Sequence, residues 1–190
     1  QDDPRIGSIS AFCPPFTFPG RYSHDVFALV RLNPWGVGYW RRYNKMEAPI
    51  PAVEYHEIFN DKKLMRKLAQ SLGEEALPII KMDFEGKIYT GDMKFMFWQY
   101  IDGKLTIYPR RSLVHNIGQD GSGTHMGLTG KWDIPEVWDK TNDFEFVRNI
   151  SVDERIRRAH FNFYRNWAST GKGRVITGLE NIGMYRHLKP

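Results

Sequence analysis

Apolar residues recur at helical spacing along the stretch EYHEIFNDKKLMRKLAQSLG, residues 54–73. They follow the i, i+1, i+4, i+5, i+8 spacing that places side chains on one face of a helix. Gly73 comes directly after this stripe, where a glycine commonly ends a helix. The pattern predicts one helix ending at Gly73, with an apolar stripe made by Leu64, Met65, Leu68, Ala69 and Leu72.

A second helix is predicted immediately afterwards, over EEALPIIKMDFEG, residues 74–86. Pro78 is tolerated only near the first turn of a helix, which places Glu74 and Glu75 at the N-terminal end. The helix dipole stabilises a carboxylate there as the anion, so that it can serve as a base at neutral pH. Glutamate in a first turn is equally typical of ordinary capping, and the pattern alone leaves both roles open.

Short apolar runs predict strands around these helices. RIGSIS, residues 5–10, has the pattern of a core strand, and DVFALVRL, residues 25–32, fits a short strand or a buried turn. KIYTG and KLTIYP, residues 87–91 and 104–109, are also predicted to be strands. Between them, DMKFMFWQYIDG fits either a hairpin that turns at Asp102-Gly103 or a helix. Strands interleaved with helices indicate an α/β domain.

A last helix is predicted near the end of the chain, because Ser151 and Glu154 have the spacing of a capping box. The pattern leaves open whether this helix packs on the domain or mediates assembly. Its expected apolar face consists of Ile156, His160, Phe163 and Trp167, and Gly171 and Gly173 are expected to end it.

Composition narrows the kinds of partner. The net charge of +5 and the pI near 9.3 favour an anionic partner: a phosphorylated small molecule, a membrane surface or a nucleic acid. A nucleic acid is disfavoured, because the basic residues are dispersed and do not alternate with aromatic residues in a stacking platform. The apolar runs are too short to span a bilayer. The lone Cys13 indicates a reducing compartment and is expected to be a small buried side chain.

The stretch SLVHNIGQDGSGTH, residues 112–125, has the strongest chemical pattern. Its glycines allow backbone N–H groups to converge on one point, and its polar side chains add donors, as in a loop that holds a phosphate. The spacing differs from the Walker and dinucleotide-binding motifs, so an ordinary glycine-rich surface loop fits equally well. The candidate phosphate ligands are Arg111, Gly121, Ser122, Gly123, Thr124 and His125, and His125 is also a candidate metal ligand.

Two tryptophans, Trp35 and Trp40, flank a Gly-Val-Gly turn that begins at Gly36. Flat aromatic faces beside such a turn suit the binding of a sugar ring. Core packing is the commoner use of large aromatic side chains. Both roles therefore stay open on the residues alone.

Four blocks of the sequence occur in an order that resembles a known family. The blocks are DDPRIGSISAF, NPWGVGYWRRY, GEEALPIIKMDFEGKI and LTIYPRRSLVHNIGQDGSGTH. Together they resemble the C-terminal half of bacterial family-2-type glycosyltransferases of the GT-A fold, which are found in surface-polysaccharide gene clusters. The last block is the most specific. Val37, Tyr39 and Tyr43 depart from the family pattern, and Glu74-Glu75 replaces its acidic pair. A more distant likeness runs to eukaryotic N-acetylglucosaminyltransferase I.

The resemblance implies that residues 1–148 form the C-terminal part of a GT-A domain, a mixed sheet with flanking helices, and that residues 149–190 form a helical tail. It implies inverting transfer of a hexose or N-acetylhexosamine from a nucleotide-sugar donor to a carbohydrate or lipid-linked acceptor, in polysaccharide or glycolipid biosynthesis. By position in the motif, Glu75 is favoured over Glu74 as the base. Arg111 and residues 121–125 fall on the diphosphate side, and Trp35, Gly36 and Trp40 border the sugar or acceptor site.

The resemblance also implies a divalent cation, Mn²⁺ or Mg²⁺, held mostly by a D-x-D motif in an N-terminal nucleotide-binding half that this chain does not supply. We therefore expect the chain alone to be inactive and to bind no nucleotide sugar tightly. The implied location is the cytoplasm; peripheral association with the inner face of the membrane and self-association are left open. The alternative function is a non-catalytic carbohydrate- or phosphate-binding module, which glutamates in place of the aspartate pair favour.

Overall fold

Four strands form one mixed sheet in the computed structural model, which describes residues 3–118, 132–134, 136–139, 144–147 and 149–169. The strands are β1 (Ile6–Ser10), β2 (Val26–Leu29), β3 (Val37–Tyr39) and β4 (Leu105–Pro109). Their order is β2-β4-β1-β3, with β1 and β4 parallel and the other two pairs antiparallel. The predicted α/β class, with a mixed sheet and flanking helices, is confirmed at this level.

Five α-helices accompany the sheet within the described residues. They are α1 (Ala52–Asn60), α2 (Lys62–Leu72), α3 (Ala76–Phe84), α4 (Gly91–Ile101) and α5 (Glu154–Ser169), and a 3₁₀ helix spans Arg41–Tyr43. No helix among the described residues is long and apolar enough to cross a membrane.

The prediction of one continuous helix over residues 54–73 is wrong, because the helix is interrupted at Asp61. The backbone of Asp61 is extended, with φ −110° and ψ 113°. Its carboxylate accepts hydrogen bonds from the backbone N–H groups of Lys63 at 2.6 Å and Leu64 at 3.1 Å, which starts α2 as a new helix. The predicted apolar stripe is nevertheless confirmed in part, since Leu68, Ala69 and Leu72 are buried.

The helix predicted after Gly73 is confirmed as α3, with Pro78 in its first turn. The open choice for residues 92–103 resolves to a helix, α4. The strand predicted over residues 87–91 is wrong. The backbone N–H and the hydroxyl of Thr90 both donate to the buried carboxylate of Asp83, which holds this segment as a connection between α3 and α4.

The predicted start of α5 is also wrong, since Ser151 and Glu154 do not form a capping box. The helix begins at Glu154, and the carboxylate of Asp153 accepts from the backbone N–H of Arg155 at 2.8 Å. The carboxylate of Glu154 bonds instead to the guanidinium of Arg157.

The apolar face of α5 lies against the domain. Ile156, His160 and Tyr164 are buried, and α5 packs against α2. The tail helix therefore packs on the domain rather than standing apart from it. The side chain of Trp167 and the predicted terminators Gly171 and Gly173 lie outside what the structure describes.

The core has two clusters. The larger one is built mainly from α1–α4, including the fully buried Leu68, Ile80 and Phe95, and Leu32, Tyr43 and Ile50 from the connecting segments also belong to it. The smaller one joins β2, β4 and α5 around Tyr108, and it contains Cys13, whose predicted burial is confirmed at 4% exposure. This second cluster fixes α5 over the C-terminal end of β2, which positions the candidate site.

Candidate functional site

Arg31, in the loop that follows β2, reaches the connection between α2 and α3 and forms an ion pair there. Its Nη1 atom donates to Oε1 of Glu75 at 2.6 Å and also to the carbonyl oxygen of Leu72. Leu72 is the last residue of α2, where a carbonyl has no partner within the helix. The Arg31 side chain is 7% exposed and that of Glu75 29%, so the pair is largely shielded from solvent.

The ring of Tyr164 on α5 covers this ion pair. The guanidinium carbon of Arg31 lies 3.6 Å from the ring centroid, a close cation–π contact. Burial raises the pKa of the Tyr164 hydroxyl, so the ring faces Arg31 as a neutral phenol. A residue of the predicted helical tail thus completes the surroundings of the candidate base.

Two atoms of the pair have no hydrogen-bond partner among the described residues: Nε of Arg31 and Oε2 of Glu75, both buried. One is a donor and the other an acceptor, and leaving both unsatisfied is costly in a folded protein. A hydroxyl group has the matching chemistry, since it donates to a carboxylate through its hydrogen and accepts through its oxygen. Oε2 of Glu75 can therefore accept a hydrogen bond from an O–H group that reaches it.

Gly73 makes the close approach of these side chains possible. Its φ of +101° is a conformation that other residues rarely adopt. A Cβ atom on Gly73 would lie 2.5 Å from both Nη1 of Arg31 and Oε2 of Glu75, far closer than such contacts allow. The glycine predicted to end α2 therefore also provides the space for the ion pair.

The two glutamates face different surroundings. The Glu74 side chain is 53% exposed, and its Oε1 lies 3.7 Å from Nε of Arg165 on α5, an exposed and weak ion pair. Glu75 instead points into the protein towards Arg31. Of the two predicted catalytic candidates, the structure thus places only Glu75 in a shielded site.

Trp35 is connected to this site through aromatic contacts. Its ring packs edge-on against Phe12 at 4.5 Å and against Trp132 at 5.3 Å, and Trp132 in turn contacts Tyr164 at 5.4 Å. The adjacent Gly36 has φ +65°, and a Cβ there would meet the side chain of Ala11 at 2.9 Å. Two aromatic contacts thus connect Trp35 to Tyr164, the residue that covers Arg31.

Trp40, the other tryptophan predicted to border the sugar site, contributes to the packing of the fold. Its indole Nε1 donates to the carbonyl oxygen of Ile6 at 2.9 Å, and its ring packs against the larger core cluster. Three residues of β3 separate it from Gly36. The structure does not bring Trp40 together with Trp35.

Arg111 lines a separate cleft with a volume of about 630 Å³. Its other lining residues include Cys13, Phe16, Arg110, Ser112 and Trp138. Arg111 is exposed, whereas Arg110 is held by a hydrogen bond from its Nη1 to the carbonyl oxygen of Tyr22 at 2.8 Å. The predicted phosphate-loop residues Gly121, Ser122, Gly123, Thr124 and His125 lie outside the described residues.

A metal centre does not occur within the described part of the chain, where no three His, Cys, Asp or Glu side chains come together as ligands. The candidate ligand His125 belongs to the stretch that the structure does not describe. The residues at hand therefore do not fit a bound divalent cation.

Arg31 and Tyr164 were not predicted as site residues, although each has a sequence signal. Arg31 is a lone charge at the end of the apolar run VFALV, where a buried partner is needed. Tyr164 lies four residues after His160 and eight after Ile156, so it belongs to the same helical stripe. No signal along the chain pairs Arg31 with Glu75, which lie 44 positions apart.

Comparisons with protein-family models, with curated proteins and with solved structures gave no match to this chain.

Proposed function

We propose that this chain is the acceptor-side portion of a GT-A-type glycosyltransferase, in which Glu75 takes the proton from the acceptor hydroxyl. The observation that carries the proposal is Oε2 of Glu75, which has no hydrogen-bond partner among the described residues, on a side chain that is 29% exposed. An acceptor O–H group that reaches this oxygen would donate a hydrogen bond to it. This is the arrangement that a general base needs before it deprotonates a nucleophile.

The bond changes follow from that arrangement. The acceptor oxygen forms a bond to the anomeric carbon while the bond from that carbon to the nucleotide diphosphate breaks. The proton of the acceptor hydroxyl passes to Oε2 of Glu75, and the electron pair of the broken bond leaves with the diphosphate. Arg31 holds the other carboxylate oxygen, Oε1, and so fixes the direction of Oε2.

Trp35 supports the acceptor side of the proposal. Its partly exposed ring lies two aromatic contacts from Tyr164, which covers Arg31. A partly exposed indole face suits a sugar ring, which presents C–H groups on its faces and O–H groups at its edge. Arg111 is an exposed cation for the departing diphosphate. The described residues hold no metal cluster, and the proposal gives them no metal-dependent step.

A second candidate is a non-catalytic module that binds a carbohydrate or a phosphate. The bond from Arg31 to Glu75 and the covering ring of Tyr164 favour it, because a carboxylate engaged in this way can serve folding alone. The two candidates differ in what Glu75 is expected to do. In a transferase it is needed for turnover, and in a module only for stability.

The test is sugar transfer by the polypeptide of the full open reading frame that contains residues 1–190. UDP- and GDP-hexoses with Mn²⁺ are the donors, and a glycan panel supplies the acceptors. We expect Glu75→Gln to lower kcat at least about 100-fold while acceptor binding changes little, because a general base contributes this much to a rate. Glu74→Gln is the matched control and keeps its activity. Equal activity of the two variants would overturn the proposal, as would a reading frame without an upstream D-x-D motif.

A further inference from the structure

One side of α2 is a continuous cationic surface. Lys62, Lys63, Arg66 and Lys67 are all exposed, and so is Gln70. At 3.6 residues per turn, these five positions fill a single arc of roughly 140° around the helix. The arc contains no acidic residue, and the opposite side holds the buried Leu68, Ala69 and Leu72. We call Lys62, Lys63, Arg66 and Lys67 the α2 cationic face.

The charges of this face are not paired within the part of the chain that is described, where no ion pair involves any of the four residues. Asp61 directly precedes the face, and its carboxylate accepts from the backbone N–H groups of Lys63 and Leu64. The backbone bonds from Leu64 and Lys63 lower the pKa of Asp61, so it stays charged and offsets one of the four cations. A net positive charge remains on an exposed helix surface.

A cleft beside Lys67 extends this surface towards α5. It has a volume of about 360 Å³, and its polar lining includes Lys67, Gln70 and Ser71 together with Glu154 and Arg157, which form an ion pair. Nη1 of Arg157 donates to the carbonyl oxygen of Gln70 at 3.1 Å, which fixes the two helices at this point. Because Glu154 offsets Arg157, the cleft adds little positive charge of its own, and Lys67 is the cation that it shares with the α2 cationic face.

We propose that the α2 cationic face docks reversibly on an anionic lipid bilayer. The surface of a helix is convex and its cations lie on one side, which suits contact with a plane of negative charge. A nucleic acid fits less well, since the arc holds no aromatic side chain on which bases stack. The apolar side of α2 is buried in the core, so the contact rests on charge and weakens as salt is added.

The proposed contact also has a consequence for the candidate site. The C-terminal end of α2 is Leu72, whose carbonyl oxygen accepts from Arg31. The last cation of the face, Lys67, precedes Leu72 by five residues, or roughly 8 Å along the helix axis, so the docked face would end near the connection that carries Glu75. This placement suits a lipid-linked acceptor, but docking itself does not depend on any transferase activity.

Cosedimentation with vesicles tests the proposal directly, by comparing vesicles of phosphatidylcholine alone with vesicles that also contain about 30 mol % phosphatidylglycerol. We expect binding only to the anionic vesicles, with loss at high salt. Each Lys or Arg near such a surface contributes about fivefold in affinity. Lys63→Gln with Lys67→Gln is therefore expected to weaken binding about 25-fold. The matched control, Lys81→Gln with Lys87→Gln, removes the same charge from α3 and its exposed surroundings and is expected to weaken it less than about threefold.

Several outcomes would overturn the proposal. Equal losses in the two double variants would mean that net charge, and not this face, attracts the vesicles. Equal binding to neutral vesicles, or no binding to anionic ones at low salt, would do the same. Tighter binding of a short oligonucleotide, lost in the α2 variant alone, would assign the face to nucleic acid instead. Circular dichroism of each variant verifies the fold, which glutamine at exposed helix positions preserves.

Discussion

Arg31 and Glu75 lie 44 positions apart in sequence, and Nη1 of one lies 2.6 Å from Oε1 of the other. This pair joins the loop after β2 to the start of α3, and Tyr164 of α5 covers it. Three separate parts of the chain thus depend on one guanidinium. The stability of the domain is therefore expected to respond strongly to changes at this point.

Replacing Arg31 with methionine tests the energetic role of the pair. We expect Arg31→Met to lower the free energy of unfolding by roughly 2–4 kcal/mol, because it leaves a shielded carboxylate and the Leu72 carbonyl without their donor. The double variant Arg31→Met with Glu75→Met is expected to lose less than the sum of the single losses, by at least about 1 kcal/mol. Urea denaturation of all four proteins measures the coupling, and additive losses would mean that the two side chains do not interact.

Gly73 offers a test of the space around the same pair. Gly73→Ala combines a strained backbone at φ +101° with a Cβ placed 2.5 Å from Arg31 and Glu75. Gly86→Ala is the matched control, since Gly86 has φ +70° but no atom within 4 Å of the added carbon. The control is expected to cost about 1 kcal/mol for the backbone alone. Gly73→Ala is expected to cost at least about 1 kcal/mol more in thermal or urea unfolding, because the crowding adds to the backbone strain. Equal losses would count against the packing described here.

The ring of Tyr164 is expected to matter more than its hydroxyl for the contact with Arg31. Tyr164→Phe keeps an aromatic face over the guanidinium, and Tyr164→Leu removes it. We expect the leucine variant to be less stable than the phenylalanine variant by at least about 1 kcal/mol, the size of a desolvated cation–π contact. Chemical denaturation compares the two, and identical stabilities would show that ring and cation do not attract each other.

Alkaline pH is expected to destabilise the fold through Cys13. Burial raises the pKa of the Cys13 thiol far above its ordinary value of 9.0, so the thiol stays protonated when folded and ionises when unfolded. The stabilising effect is complete below the unfolded pKa and is lost as the pH rises above it. Tyr108, whose hydroxyl pKa is also raised by burial, adds a further loss above its ordinary value of 10.0.

Cys13→Ala separates these two contributions. Unfolding free energies measured between pH 8 and 11 are expected to fall from about pH 9 in the unchanged chain, and only from about pH 10 in the variant. A thiol reagent at pH 8 is expected to label Cys13 far more slowly in the native chain than in denaturant. Rapid native labelling would contradict the buried position of this side chain.

The elements that were predicted correctly depend on residues that lie close together in sequence. The helix after Gly73 followed from the position of Pro78, and β1 from its apolar run. The mistakes arose where one side chain competed for backbone hydrogen bonds. The carboxylate of Asp61 starts a new helix in the middle of the predicted one. The carboxylate of Asp83 accepts from the backbone N–H of Thr90, and residues 87–91 form a connection instead of a strand.

The candidate site was predicted in part. Glu75 and Trp35 came from the order of motifs, and the structure connects both to Tyr164, Glu75 through Arg31 and Trp35 through Trp132. Arg31 and Tyr164 were missed because their roles depend on contacts between distant segments. Periodicity places a residue on a face, but it does not say which charge lies opposite.

The position of β4 in the sheet has a consequence for how the chain reaches its fold. Strand β4 lies between β2 and β1, and Ile6 pairs with Leu105. A ribosome needs on the order of ten seconds to make the intervening residues. During that time β1 can pair with β3, but its other edge and the edge of β2 stay without the strand that joins them. The edges of β1 and β2 that flank β4 therefore stay unpaired until β4 has been synthesised. We expect the nascent chain to fold slowly and these edges to need protection from aggregation until then.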